Sequence, residues 1–193
     1  MDFVYLFLAW GLYFVIHSVL ASDSVKRKVK NTLTNLFPLY RIGYNLFAII
    51  SLLPVLYYQN SINDPIFFPI NMLVQIIAYG ILLSGLLLGY FAFKNYSSAE
   101  FLGLDYKQQS QANKLNTAGL NKHVRHPLYS ASLLIVWGYF FSNLNSTSLI
   151  MATAITTYLI IGTKLEEKKL IVEFGQPYKE YIKNTPMLIP RFF

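Results

Sequence analysis

The chain has 193 residues, of which 54% are hydrophobic, 17% aromatic and only 13% charged, too little polar surface to clothe an ordinary soluble domain. Its formal net charge of +7 comes from basic residues gathered between apolar runs, which is a topological pattern and an affinity for anionic headgroups, not a nucleic-acid footprint. The absence of cysteine excludes disulfides, thiolate metal ligands and cysteine nucleophiles.

The first apolar run, 3–20, follows Met1-Asp2, which lacks the basic n-region of a cleaved signal peptide, so the run is expected to remain as a span. Within it His17 follows Tyr13 by one helical turn, a spacing suited to a buried hydrogen bond. Lys26, Arg27, Lys28 and Lys30 come next, with Arg41 at the start of the second run, 39–58. That run and the third, 72–93, have the length of about 20 residues that crosses a hydrocarbon core of about 30 Å. In the third, Gly85 and Gly89 form a GxxxG pair beside Ser84, which permits close helix approach.

A long connection, 95–123, carries SSAEFLGLDY and KLNTAGLNKHVRHP; one of roughly 30 residues is more often functional than neutral. Two shorter runs, 128–141 and 149–162, reach spanning length only with their polar flanks, as spans 127–143 and 147–163; the short polar turn at 142–145 between the runs forces an antiparallel helical hairpin. The tail, 164–193, alternates acidic and basic residues with apolar ones. These features predict an all-α integral membrane protein, a single domain over 1–193. It has about five transmembrane helices, a C-terminal helical hairpin and an amphipathic tail helix. All 16 basic residues lie in 26–41, 94–125 and 164–191, and none lies around Asp64 or Asn143. The positive-inside rule then puts the N-terminus outside and the C-terminus, with the tail, in the cytoplasm.

Three clusters stand out near the hairpin: Arg125-His126-Pro127-x-Tyr129, Glu166-Glu167-x-x-Leu170, and Phe174-Gly175-x-x-Tyr178 with Tyr181. Pro127 suits a first helical turn, with His126 at the cap. The hairpin then brings Arg125, His126 and Tyr129 against Glu166 and Glu167 at the cytoplasmic boundary. On a helix over 165–174, Leu170, Ile171 and Phe174 define an apolar face, and Glu167 points along its middle, where a carboxylate needs a cation or a ligand. Each residue also has an ordinary reading: Arg125 as an interfacial snorkel or the partner of Glu167, Glu166 paired with Lys169, His126 as a cap, Tyr129 in an aromatic belt.

At this spacing the three clusters together resemble the isoprenylcysteine carboxyl methyltransferase superfamily. WGLYFVIHSVLAS at 10–22, Tyr40-Arg41-x-x-Tyr44-Asn45 and EFLGL at 100–104 are similar to its methanethiol S-methyltransferase and NnrU-like branch. The resemblance implies an integral membrane methyltransferase that uses S-adenosylmethionine. The acceptor would be a small or lipophilic thiol or an isoprenylcysteine-like carboxylate, met among membrane lipids, with no nucleic acid and no metal involved. It assigns cofactor binding to Leu115, Gly119, His126, Pro127, Tyr129, Glu166 and Glu167, and catalysis to Arg125, His126 and Glu167. Arg125 or His126 would hold the cofactor carboxylate, a glutamate its ammonium or ribose hydroxyls, and Tyr129 its adenine or sulfonium.

Two positions depart from the family pattern. Asn121 stands where an aromatic residue is usual, and Ala131 where glycine is usual, its methyl narrowing a close helix approach. Two further function classes fit the same motifs: a non-catalytic NnrU-like protein binding a lipid, a haem-related ligand or a partner, and a membrane NADPH-dependent reductase. A soluble Rossmann-type methyltransferase is excluded by the spans and by the missing Gly-rich loop.

Overall fold

The computed structural model describes residues 1–33, 37–94 and 115–191. EFLGL and most of the long connection therefore lie outside the described residues. The described residues form seven α-helices and two short 3-10 turns, and fall into two compact units.

The first unit contains α1 (Asp2–Ala21), α2 (Asp23–Thr32) and α3 (Tyr40–Ser61). Ser22 separates α1 from α2: its extended backbone ends the first helix, and its Oγ accepts the Val25 amide as the N-cap of the second. The basic stretch after the first span is thus helical, a feature its apolar content alone did not suggest. Helices α1 and α3 are joined by polar pairs inside apolar surroundings. Trp10 Nε1 donates to Gln59 Oε1 at 3.3 Å, and the Tyr44 hydroxyl shares a hydrogen bond with His17 Nε2 at 2.5 Å. His17 therefore has the hydrogen-bonded setting that a polar ring within a span requires.

The second unit contains α4 (Met72–Lys94), α5 (Pro127–Asn143), α6 (Ser146–Phe174) and α7 (Gln176–Asn184). Helices α4 and α5 meet backbone to backbone. A methyl added to Gly138 would lie 2.6 Å from the Leu82 amide nitrogen, and one on Gly85 would lie 2.8 Å from that of Ile135. At Gly89 the contact is looser, 3.6 Å from the Ala131 methyl. The GxxxG pair thus packs as its spacing predicts, and the glycine missing at position 131 is answered by one on the facing helix.

The α5–α6 turn has Leu144 in the left-handed region at φ 44. Asn145 caps α6 by accepting the Ser148 amide at 3.1 Å, and the Leu144 carbonyl accepts the Phe67 amide at 2.7 Å. Helix α6 runs 29 residues without a break, so the first part of the expected tail continues the last span. Nothing between 163 and 174 interrupts a helix, and its glutamates, lysines and leucines favour one. Gly175, at φ 62, ends it.

Helices α1, α3, α4 and α6 are long and apolar enough to cross a membrane. Only 11% of the apolar window is buried in each of the first three, so their apolar side chains face outward, as a lipid solvent requires. Helix α5, with 17 residues, is about 25 Å long and sits at the lower edge of the spanning range.

Candidate active site

The site is built where α5 begins. The chain enters through a 3-10 turn, Gly119–Lys122, opened by Gly119 at φ 59, a backbone region that glycine occupies without strain. His126 is the N-cap of α5 and buried Pro127 fills its first position, where a missing amide hydrogen costs nothing. The amides just before the helix need acceptors, and the segment after α7 supplies them. Arg125 N–H donates to the Pro186 carbonyl at 2.9 Å and His126 N–H to that of Met187 at 3.2 Å. Ser130 Oγ donates to the Leu188 carbonyl at 2.6 Å. On the other side, the Tyr181 hydroxyl donates to the Asn121 carbonyl at 2.6 Å, and Asn121 Nδ2 donates to the Arg125 carbonyl at 3.3 Å. Asn121 is thus a brace of the turn, which an aromatic side chain would not provide.

Side chains from α5 and α6 converge above this latch. Arg125 Nε donates to Glu167 Oε1 at 2.7 Å, with the two side chains 7% and 13% exposed. Arg125 Nη1 also donates to the carbonyls of Ile182, at 3.2 Å, and Thr185. His126 Nε2 lies 3.1 Å from the same Oε1 of Glu167, and its Nδ1 is 3.8 Å from Glu166 Oε2. The Tyr129 hydroxyl donates to Glu166 Oε2 at 2.9 Å, and the His126 and Tyr129 rings stack at 5.5 Å with 9° between planes.

The two adjacent carboxylates therefore differ. Glu167 is half-buried and held by a guanidinium and an imidazole. Glu166 is 43% exposed and held by a phenol. Because a carboxylate only accepts, the His126–Glu167 contact requires a proton on Nε2, and in a neutral ring Nδ1 is then the acceptor nitrogen.

On α7 lies Tyr178, 1% exposed, whose hydroxyl has no hydrogen-bond partner among the described residues. Burial, and then the negative charge of Glu167, push this phenol up to about 12, against a smaller opposing effect of Arg125. It stays protonated at neutral pH.

Of the residues singled out by sequence, Arg125, His126, Pro127, Tyr129, Glu166 and Glu167 come together. Leu115 and Gly119 lie in the lead-in and make none of the cluster's hydrogen bonds. Sequence reasoning did not assign roles to Tyr178, Tyr181, Ser130 or the carbonyls of 182–188. The two tyrosines were visible in FGxxYxxY. Backbone carbonyls leave no mark on a sequence beyond the prolines at 186 and 190, which bound a non-helical stretch.

Residues 21–185 match the family described as "Protein of unknown function (DUF1295)", and the chain belongs to that family. The relatives refine this: the chain is 29% identical to a methanethiol S-methyltransferase of Crocosphaera subtropica, over 93% of this chain and 71% of that protein. It is 26% identical to methanethiol S-methyltransferase 1 of Bradyrhizobium diazoefficiens, over 95% of this chain and 65% of that protein. A third, from Pseudomonas deceptionensis, is 42% identical over 37% of this chain and 26% of its own length. The chain thus spans about two thirds of the first two relatives and a smaller part of the third. Family and relatives are consistent with the isoprenylcysteine carboxyl methyltransferase-like superfamily that the motifs resemble. No solved structure matches the chain.

Proposed function

We propose that the protein is an integral membrane methyltransferase that moves a methyl group from S-adenosylmethionine to a small thiol. The observation that carries this is the junction of Arg125, His126, Tyr129, Glu166 and Glu167 at one end of the α5–α6 hairpin, in a chain similar to proteins named methanethiol S-methyltransferases. The donor set suits the cofactor. Two carboxylates meet its cationic groups, Tyr129 offers an aromatic face, and a buried phenol has a hydrogen bond to give. Leu115, Gly119 and Pro127 would shape the entry to that site.

The cofactor, when bound, supplies a methyl group activated by a sulfonium. The protein's part is to align the acceptor, exclude water and remove a proton. A thiol with an ordinary pKa of about 8.5 must ionise before it attacks. His126 Nδ1 is the atom that takes this proton, since Nε2 is committed to Glu167. Glu167 on one side and Glu166 on the other stabilise the imidazolium that results. Arg125 is a positioning residue in this scheme: it holds Glu167 and, through the carbonyls of Ile182 and Thr185, the C-terminal end of α7. We further propose five spans, with the N-terminus outside and the site in the cytoplasm, from the distribution of basic residues.

The test is methyl transfer from labelled S-adenosylmethionine by detergent-purified protein to methanethiol, a longer alkyl thiol or a farnesylcysteine analogue, followed against pH. Thiol methylation that rises through neutral pH and falls at least 100-fold in His126→Ala is the expected outcome, a loss typical of an acid–base group. Turnover of the farnesylcysteine analogue alone, flat across that range, would redirect the reading to carboxyl methylation. Stabilisation by NADPH in place of S-adenosylmethionine would redirect it to a reductase.

A further inference from the structure

Arg125 is the obvious cation for an anionic ligand at this site, yet its guanidinium already serves three protein acceptors: Glu167 Oε1 and the carbonyls of Ile182 and Thr185. Releasing it would leave the half-buried Glu167 without its cation, which is unfavourable. The bonds to these acceptors use Nε and Nη1, so Nη2 is the part of the guanidinium left for a ligand carboxylate, which then has room for a second, neutral donor. Tyr178 is suited to that part. It lies one helical turn before Ile182 on α7, and with Tyr181 it forms the buried face of that helix. The two rings meet edge to face at 5.9 Å.

Their hydroxyls are in opposite states. That of Tyr181 is held by the Asn121 carbonyl at 2.6 Å, whereas that of Tyr178 is buried with no partner among the described residues. A buried polar group without a partner is destabilising, and native proteins keep few of them. Its proton is firmly held, because burial and Glu167 raise the phenol well above the range in which it would ionise. It is a neutral donor that stays a donor.

We propose that the Tyr178 hydroxyl is a ligand-binding group that donates a hydrogen bond to the carboxylate at the amino-acid end of the cofactor. This rests on the S-adenosylmethionine-dependent reading above. The ammonium of the same moiety has its acceptors in Glu166 and Glu167, so the neutral donor falls to the carboxylate. A phenol fits where a second guanidinium would not, because it adds no charge to the half-buried Arg125–Glu167 pair.

The test is Tyr178→Phe, which removes one oxygen and keeps the ring. Two quantities are measured on detergent-purified protein: the thermal midpoint without ligand, and the affinities for S-adenosylhomocysteine and for methylthioadenosine, which lacks the amino-acid end. The expected result is an unliganded midpoint equal to or above that of the parent. Affinity for S-adenosylhomocysteine falls about ten-fold or more, as for loss of a hydrogen bond to a charged group, while affinity for methylthioadenosine is unchanged. Tyr181→Phe, which breaks an existing bond to Asn121, lowers the unliganded midpoint and serves as the contrast.

A lowered midpoint in Tyr178→Phe would overturn the proposal, since the hydroxyl would then have a partner within the fold. Unchanged affinity for S-adenosylhomocysteine, or equal loss for both ligands, would overturn it as well. A parent that binds neither ligand would instead overturn the cofactor reading, and this proposal with it.

Discussion

Tyr178 also has a signature that needs no ligand. Its folded-state pKa is raised to about 12, while an unfolded tyrosine titrates near 10. Below about pH 10 both states hold the proton, and the stability associated with burying the neutral phenol is fully present. Between about 10 and 12 the unfolded chain loses the proton and the folded chain keeps it, so stability falls as pH rises. The loss attributable to this residue is on the order of 2 kcal/mol across that window. Chemical denaturation of parent and Tyr178→Phe at pH 8 and near 11 should show the two curves separating, with the phenylalanine variant less sensitive to alkali. Parallel curves would mean that the phenol is not shielded as described. The groups that act on it are Glu167, Glu166, Arg125 and Tyr181.

Residue by residue, the sequence was more informative about which side chains meet than about what each does. The spacing of RHPxY and EExxL was enough to place Arg125, His126 and Tyr129 against the two glutamates, because a hairpin with a four-residue turn permits little else. It left Arg125 divided between a membrane-interface anchor, a partner for Glu167 and a cofactor contact. The structure joins it to Glu167 and to two backbone carbonyls. No pattern of residue types could have shown this, since the carbonyl acceptors belong to residues 57 and 60 positions away and are chemically the same in every residue.

Among the elements, α4 and α5 make the sharpest demand on sequence. The expectation that Gly85 and Gly89 pack together was correct in kind, but the structure separates them. A methyl at Gly85 would meet the backbone of Ile135 at 2.8 Å, whereas one at Gly89 would make an ordinary contact with Ala131 at 3.6 Å. Gly85→Ala and Gly138→Ala should therefore destabilise the protein by about 1–3 kcal/mol through overpacking. Gly89→Ala should be near neutral, because the helix gains from alanine by up to about 1 kcal/mol. Thermal unfolding of the three variants in one detergent decides this, and equal losses at 85 and 89 would show that the helices are not in this register. The boundary of α6 illustrates a different limit. Hydropathy marks where apolar residues stop, near 163, but a helix stops only where backbone geometry changes, at Gly175.

For the whole molecule, the all-α membrane class was legible from composition and run length. The sidedness rests on charge alone and is open to a direct experiment, because the chain has no native cysteine. In sealed, singly oriented membranes, a cysteine at Asn63 should react with an impermeant maleimide from outside, and one at Asn184 should react only after permeabilisation. The reverse pattern would invert the topology. Labelling of both from outside would require a different number of spans.

The carbonyl latch on Arg125, His126 and Ser130 has a consequence for the order in which the protein can be made. Ribosomes add about 5–20 residues per second, so the start of α5 exists for some seconds before residues 182–188 emerge. During that interval the carbonyls that accept the amides of Arg125 and His126 in the folded protein are not yet in place. The hydrogen bonds that brace the start of α5 are thus completed by residues about 60 positions further along the chain. A chain of which only residues up to 175 had left the ribosome would have α5 and α6 but not the carbonyls that brace Arg125 and His126, and the latch closes only when the next turns of chain arrive.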